Sequence, residues 1–270
     1  MTSRALGRLP NAPLAYVLAQ VRFQPILEMD KSVPSIQTAL RLKYPRYREV
    51  KVAGIEIGPN GARMLDAATR WEFTSASSRQ GVILQTNSLV LHATEYSTYA
   101  AFSDSFHDVL KIVGDLVPGI LVDRLGLRYI DFIMPSPGQN PDQFVVSSLG
   151  CRPDPGVPFE SHSGVTTADY ELADGHLIIR FTRGRGLPPL PPDLQPLSLA
   201  ASDVMERKDA DSVDTAILDT DRFIEISVPY DATNLLQRFE SMHDHISRAF
   251  KAITTAHAVR TWSGPAEASA

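Results

Sequence analysis

The sequence contains a single cysteine, Cys151, and no apolar run that approaches the ~20 residues needed to cross a bilayer. One thiol excludes an intramolecular disulfide and any multi-cysteine metal centre, and it suits a reducing compartment. The arginines of Met1 to Asn11 precede no continuous apolar segment, so no signal peptide is expected and the chain reads as soluble and cytoplasmic. A basic excess is missing too. Lys and Arg number 26 against 31 Asp and Glu, for a net charge of −5, so neither nucleic acid nor a membrane is an expected partner. The chain lacks a phosphate-binding Walker loop, a dinucleotide-binding glycine fingerprint, a nucleophile elbow and zinc-ligand spacing. No cofactor is expected, and no catalytic residue is assigned.

What is present is a globular pattern. The 270 residues, 43% of them hydrophobic, are enough for one large domain or two smaller ones. Leu14 to Phe23 reads as a strand ending before Pro25, and Ser32 to Leu42 as a short helix capped by Ser32. Val50 to Ile57, Arg70 to Ser75 and Gly81 to Ala93 follow as strands of an antiparallel meander. From Ser97 the period turns helical, with Tyr99, Phe102, Phe106, Val109, Leu110 and Val113 on one stripe, until Pro118-Gly119 closes the helix.

Asp123 to Asp131 is the most distinctive stretch. Period-two alternation places Leu125, Leu127 and Tyr129 on one face of a strand, and Arg124, Gly126 and Arg128 on the other. The order of elements then recurs. Phe23 and Phe132 each end a strand and precede a short helical segment, the second predicted over Asn140 to Leu149. Ile83 to Asn87 matches Ile217 to Asp221, and Ser105 to Asp108 matches Ser241 to Asp244. The common order points to an internal duplication. The predicted fold is therefore α+β, two related units of strand, short helix, antiparallel meander and long covering helix about a pseudo-twofold axis. The units are residues 12–118 and 119–258, with a proline-rich insertion at about 184–202 in the second and a disordered tail over 259–270.

Five stretches resemble a sporadically distributed bacterial family of uncharacterised proteins of similar length. They are Asn11-Ala12-Pro13-Leu14, Trp71-Glu72-Phe73, Tyr99 with Phe102, Arg124-Leu125-Gly126-Leu127-Arg128-Tyr129-Ile130-Asp131, and a closing helix with His243 and Phe250. The resemblance implies a product of mobile or accessory gene islands, without an established reaction. Members usually carry Asn where this chain has Asp131, which implies that the carboxylate has no catalytic role.

Several constellations suggest chemistry. Arg124 and Arg128 on one sheet face suit bidentate binding of a phosphate or carboxylate. Internal pairing with Asp123, Asp131, Asp219 or Asp221 is the structural alternative. Asp219 and Asp221 share a strand face, and with Glu225 they offer ligands for a divalent metal. The repeat match sets Gln85 and Asn87 at the places of those two aspartates, which favours a polar sheet face instead. His243 and His245 do not face each other on a helix, so a structural or solvent-exposed histidine is expected. Arg185, Leu187, Pro188, Leu190 and Pro191 form an arginine-plus-PxxP arrangement able to contact a protein partner. The leucines of that loop must fold back over the sheet or be covered by a partner. The expected function is a non-enzymatic binding or regulatory protein acting through protein contacts, a homodimer included, or through a small acidic ligand. The alternatives are a metal-dependent hydrolase or nuclease using Asp219 and Asp221, and a small-molecule carrier with its pocket between sheet and helix.

Overall fold

The computed structural model describes residues 11–52, 55–58, 61–64, 68–151, 161–195, 197–206 and 214–264. In chain order the elements are β1 (Leu14–Phe23), α1 (Met29–Leu40), β2 (Arg46–Val52), β3 (Ile55–Gly58), β4 (Gly61–Met64), β5 (Ala68–Thr74), β6 (Gln80–Gln85), β7 (Ser88–Ala93), α2 (Tyr99–Leu116), β8 (Leu121–Ile133), β9 (Ser163–Leu172), β10 (Gly175–Arg185), β11 (Asp214–Pro229), α3 (Ala232–Ile253) and α4 (Ala256–Trp262). The fold is α+β. Nine strands form one antiparallel sheet in the order β2-β5-β6-β7-β1-β8-β11-β10-β9, and β3 and β4 form a separate hairpin.

Strand alternation divides the sheet into two unlike faces. Val17, Ala19, Val21, Leu89, Leu91, Leu125, Leu127 and Leu218 point to one side. There they share a core with Met29, Val33 and Ile36 of α1, Phe102, Phe106 and Val109 of α2, and Leu235, Phe239 and Met242 of α3. Each helix supplies these residues at three- and four-residue spacing, the stripe a helix needs to cover a flat apolar surface. Phe106 and Phe239 meet edge to face at 5.0 Å. Thr98 caps α2 by accepting from the Ala101 amide, and Gly119, at φ +78°, turns the chain out of it into β8. Two buried cations tie this side together: Arg183 donates to Asp142 at 3.1 Å, and Arg222 pairs with Asp174 and donates to the His176 carbonyl.

Four local expectations are revised. The first helix begins at Met29, and Ser32 does not cap it, because the chain enters through a turn in which the Met29 amide donates to the Ile26 carbonyl and Met29 itself is buried. Gly81 to Ala93 is two strands joined at Thr86-Asn87, a turn that uses no left-handed residue and so carries no glycine to mark it. Over 140–149 only Pro141–Gln143 is helical, a single 3-10 turn capped by Asn140. Beyond that turn Phe144, Val145 and Leu149 enter the core individually, and Val145 bridges to Thr254. At the far end, 259–262 are helix rather than disordered tail: Trp262 is buried and stacks at 5.6 Å on Phe144 and 5.9 Å on Phe250. Residues 265–270 lie outside the described residues.

The proline-rich insertion is a strap across the opposite sheet face. Leu190 and Leu199 are buried against Tyr16, Ile130, Phe132 and Ile217, with Leu194 and Leu197 packed around them. Burying such side chains contributes about 1.5–3 kcal/mol each. The strap is also hydrogen-bonded down: Thr94 donates to the Ala200 carbonyl at 2.7 Å, the Ala200 amide donates to the Ser78 carbonyl at 2.8 Å, and Arg79 pairs with Asp203 at 2.8 Å. Among the described residues, no helix is long and apolar enough to cross a membrane.

Candidate functional site

Beyond the strap the second sheet face stays open, and its centre is formed by β1, β8 and β11. Register fixes the neighbours. Gly126 lies between Gln20 and Phe223, Arg124 between Arg22 and Glu225, and Arg128 between Leu18 and Asp221. A Cβ placed on Gly126 meets nothing within 4 Å, so the strand leaves a hollow there. Register sets Gln20 and Phe223 on either side of it, with Arg124 and Arg128 before and after it on the same strand face. Beyond Phe223, a surface depression of about 450 Å³ is lined by Asp174, Gly175, His176, Phe223 and Glu225. His176 stacks on Phe223 at 5.4 Å and is hydrogen-bonded to Asp169 at 3.0 Å.

The two arginines of β8 have different fates. Arg128 donates from Nε and Nη2 to the two oxygens of Asp219, both at 2.8 Å, and from Nη1 to Asp193 of the strap at 2.5 Å. Asp219 also accepts from Arg180 at 3.2 Å. Burial opposes the charge on Arg128, yet the hydrogen bonds it donates to its two carboxylate partners hold its pKa above the usual arginine value. The same bonds, ahead of a smaller burial effect in the opposite sense, lower the pKa of Asp193. Arg124 has no ion-pair partner among the described residues. Its guanidinium carbon lies 4.2 Å from the centre of the Phe223 ring, and its Nε is buried without a hydrogen bond. A cation resting on an aromatic face is held in place while its N–H groups remain available to an anion.

The metal arrangement is not assembled. Asp219, Asp221 and Glu225 do share the open face, but Asp219 is enclosed by Arg128 and Arg180, whose charges replace the one a cation would bring. Among the described residues no group of three His, Cys, Asp or Glu converges. Asp221 is left at the edge of the hollow with its pKa raised, first by burial and also by Asp219, while Arg128 and Arg124 work in the other direction.

The residues of the PxxP segment are divided between interior and surface. Leu190 is 3% exposed and Pro191 is buried, because the leucines cover the apolar end of the sheet face. Leu187 packs on Gly184, Arg185 lies 3.6 Å from Asp214, and Pro188 is exposed.

On the helix side, His243 is part of a closed polar chain. Its ring stacks on Tyr99 at 3.8 Å, Nδ1 is hydrogen-bonded to the Tyr129 hydroxyl at 3.2 Å and Nε2 to Ser247 at 3.3 Å. Burial lowers its pKa. Both ring nitrogens are engaged within the protein. The space between sheet and helices around Ala19, Leu127, Phe106 and Phe239 has no room for a water molecule, so no carrier cavity opens there.

Sequence reasoning missed Asp193, Gln20 and Phe223. Period two alone places Phe223 on the face of Asp219 and Asp221. Which residues of β1 and β8 lie beside it depends on register, for which the sequence carries no local signal. No family model matches the chain, and no curated protein matches it.

Proposed function

We propose that this is a non-enzymatic binding protein that takes a small acidic ligand, a carboxylate or phosphate, in the hollow over Gly126. The observation that carries the reading is the contrast on β8. Arg128 is saturated by two carboxylates, whereas Arg124 faces the hollow with Arg22 opposite it and has no ion-pair partner among the described residues. A bidentate anion would satisfy Arg124, Gln20 offers an amide beside it, and the raised pKa of Asp221 reduces the repulsion from that carboxyl. The expected setting is the cytoplasm, in keeping with the single thiol and with the resemblance to products of accessory gene islands.

The test is calorimetric titration with inorganic phosphate and with citrate. Binding that is lost in Arg124→Ala, and kept in a variant of a helix-surface arginine such as Arg238→Ala, supports the reading. Absence of binding, or equal binding by the Arg124 variant, removes it.

The same reading includes a duplicated architecture. β1 and β8 lie side by side at the centre; β7, β6 and β5 follow outward on one side, and β11, β10 and β9 on the other. α2 follows β7 in the chain as α3 follows β11. This order supports duplication with β7 as the counterpart of β11, so the match of Ile83–Asn87 to Ile217–Asp221, which equates β6 with β11, is offset by one strand. A circular permutant opened at Pro118-Gly119 keeps both units whole and is expected to fold. A permutant that folds equally well when opened inside β8 would argue against independent units.

A further inference from the structure

The two edges of the nine-stranded sheet differ in a way that points to a partner. β2, at one edge, carries Arg46, Arg48, Glu49 and Lys51, the charged protection that keeps an edge strand from pairing. β9, at the other edge, runs ten residues without a lysine, arginine or proline. All ten pair with β10 on its inner side. Among the described residues, no strand lies on its outer side. Val165 is 64% and Tyr170 50% exposed, one on each face of the strand. A strand of this length leaves alternate N–H and C=O groups directed outward along its whole edge.

We propose that β9 is a dimerisation edge, pairing antiparallel with β9 of a second copy so that one sheet runs through both chains. The sequence of β9 selects the register. A twofold axis at Thr167 sets Thr167 opposite its own copy, Val165 opposite Asp169, Gly164 opposite Tyr170 and Ser163 opposite Glu171. No like charges meet in this arrangement, and Tyr170 covers the strand's only glycine. Moving the axis to Asp169 would bring two carboxylates face to face, which is unfavourable. A second copy is the natural occupant because the strand is complementary to itself in this register, each carboxylate falling opposite an uncharged residue of the other copy, and a closed twofold contact leaves no further edge on this side to propagate.

Thr167 allows a discriminating test. Within one chain it lies opposite Arg180 on β10, so Thr167→Asp is tolerated by the monomer, while across the axis it opposes two carboxylates. Sedimentation velocity of the full chain from about 1 μM to about 100 μM, bracketing the micromolar affinity of modest interfaces, should show a concentration-dependent dimer. Thr167→Asp should weaken it at least tenfold with an unchanged circular dichroism spectrum. Residues directly opposed in an antiparallel pair have Cα atoms about 4.5–5.5 Å apart, within disulfide range. Thr167→Cys should therefore cross-link under mild oxidation, and wild type, with its own Cys151, should not. A monomer throughout the series overturns the proposal. So does a dimer indifferent to Thr167→Asp, or one that cross-links through Cys151.

Discussion

Asp131 offers a sharp test of the packing. It lies on β8 between Leu14 of β1 and Leu218 of β11, on the helix side of the sheet, and is 5% exposed. Burial pushes its carboxyl from 3.8 up to about 7. Below pH 3.8 the folded and unfolded chains both carry the proton and the residue is neutral to stability. Between 3.8 and about 7 the unfolded chain ionises first, so stability falls as pH rises through that window, and above it the folded chain carries the whole cost of a buried charge. A shift of this size corresponds to about 4 kcal/mol. Asp131→Asn keeps the shape and removes the charge. Its stability relative to wild type should rise by up to about 4 kcal/mol between pH 4 and pH 8, on top of any pH-independent offset from the buried amide. Urea denaturation of both proteins across that range gives the difference directly, and other titrating groups cancel in it. A difference that stays constant with pH would show that Asp131 is solvated or ion-paired, and the packing described around it would be wrong.

Three further outcomes are expected. Gly126→Val should fill the hollow without disturbing β8, because nothing stands within 4 Å of its Cβ. It should raise stability by up to about 1 kcal/mol as glycine leaves a strand interior, and abolish phosphate or citrate binding in calorimetry. In the strap, Leu190→Ala should cost about 2–4 kcal/mol in chemical denaturation. Asp193→Ala removes an ion pair whose acidic side chain is 60% exposed and should cost no more than about 1 kcal/mol, while limited proteolysis finds the strap more often open. His92 is buried, and burial lowers its pKa from 6.5 to about 3. Folded His92 stays neutral while the unfolded chain protonates, so this contribution is complete above pH 6.5 and lost as pH falls toward 3. Replacing His92 with Gln should flatten the acid limb of the stability profile measured by thermal melting.

Much of the fold was legible wherever one face of an element is buried. The alternation in Asp123 to Asp131 put Leu125, Leu127 and Tyr129 on the core side, where they are buried, and the stripe from Phe102 to Val113 is the buried face of α2. Legibility failed where geometry rather than burial decides. The Thr86-Asn87 turn has no glycine, and α1 begins at Met29, ahead of the serine expected to cap it. At the site, Asp219 was among the partners expected for the β8 arginines. That it serves Arg128 while Arg124 rests on Phe223 follows from how β8 and β11 align across 91 residues of sequence. Asp193 could not be read at all, because its role depends on where the strap crosses the sheet.

The central place of β1 also governs how the chain is completed during synthesis. β7 covers one edge of β1 from within the first hundred residues, but the other edge must wait for β8, which begins at Leu121. β8 in turn is left with an unpaired edge until β11, from Asp214, arrives. At a synthesis rate of about 5–20 residues per second, each wait over roughly a hundred residues lasts about 5–20 s. The nascent protein thus carries an apolar open edge at its own middle for most of its synthesis. That interval is when it is most exposed to aggregation, and it ends only when the last strand closes the sheet.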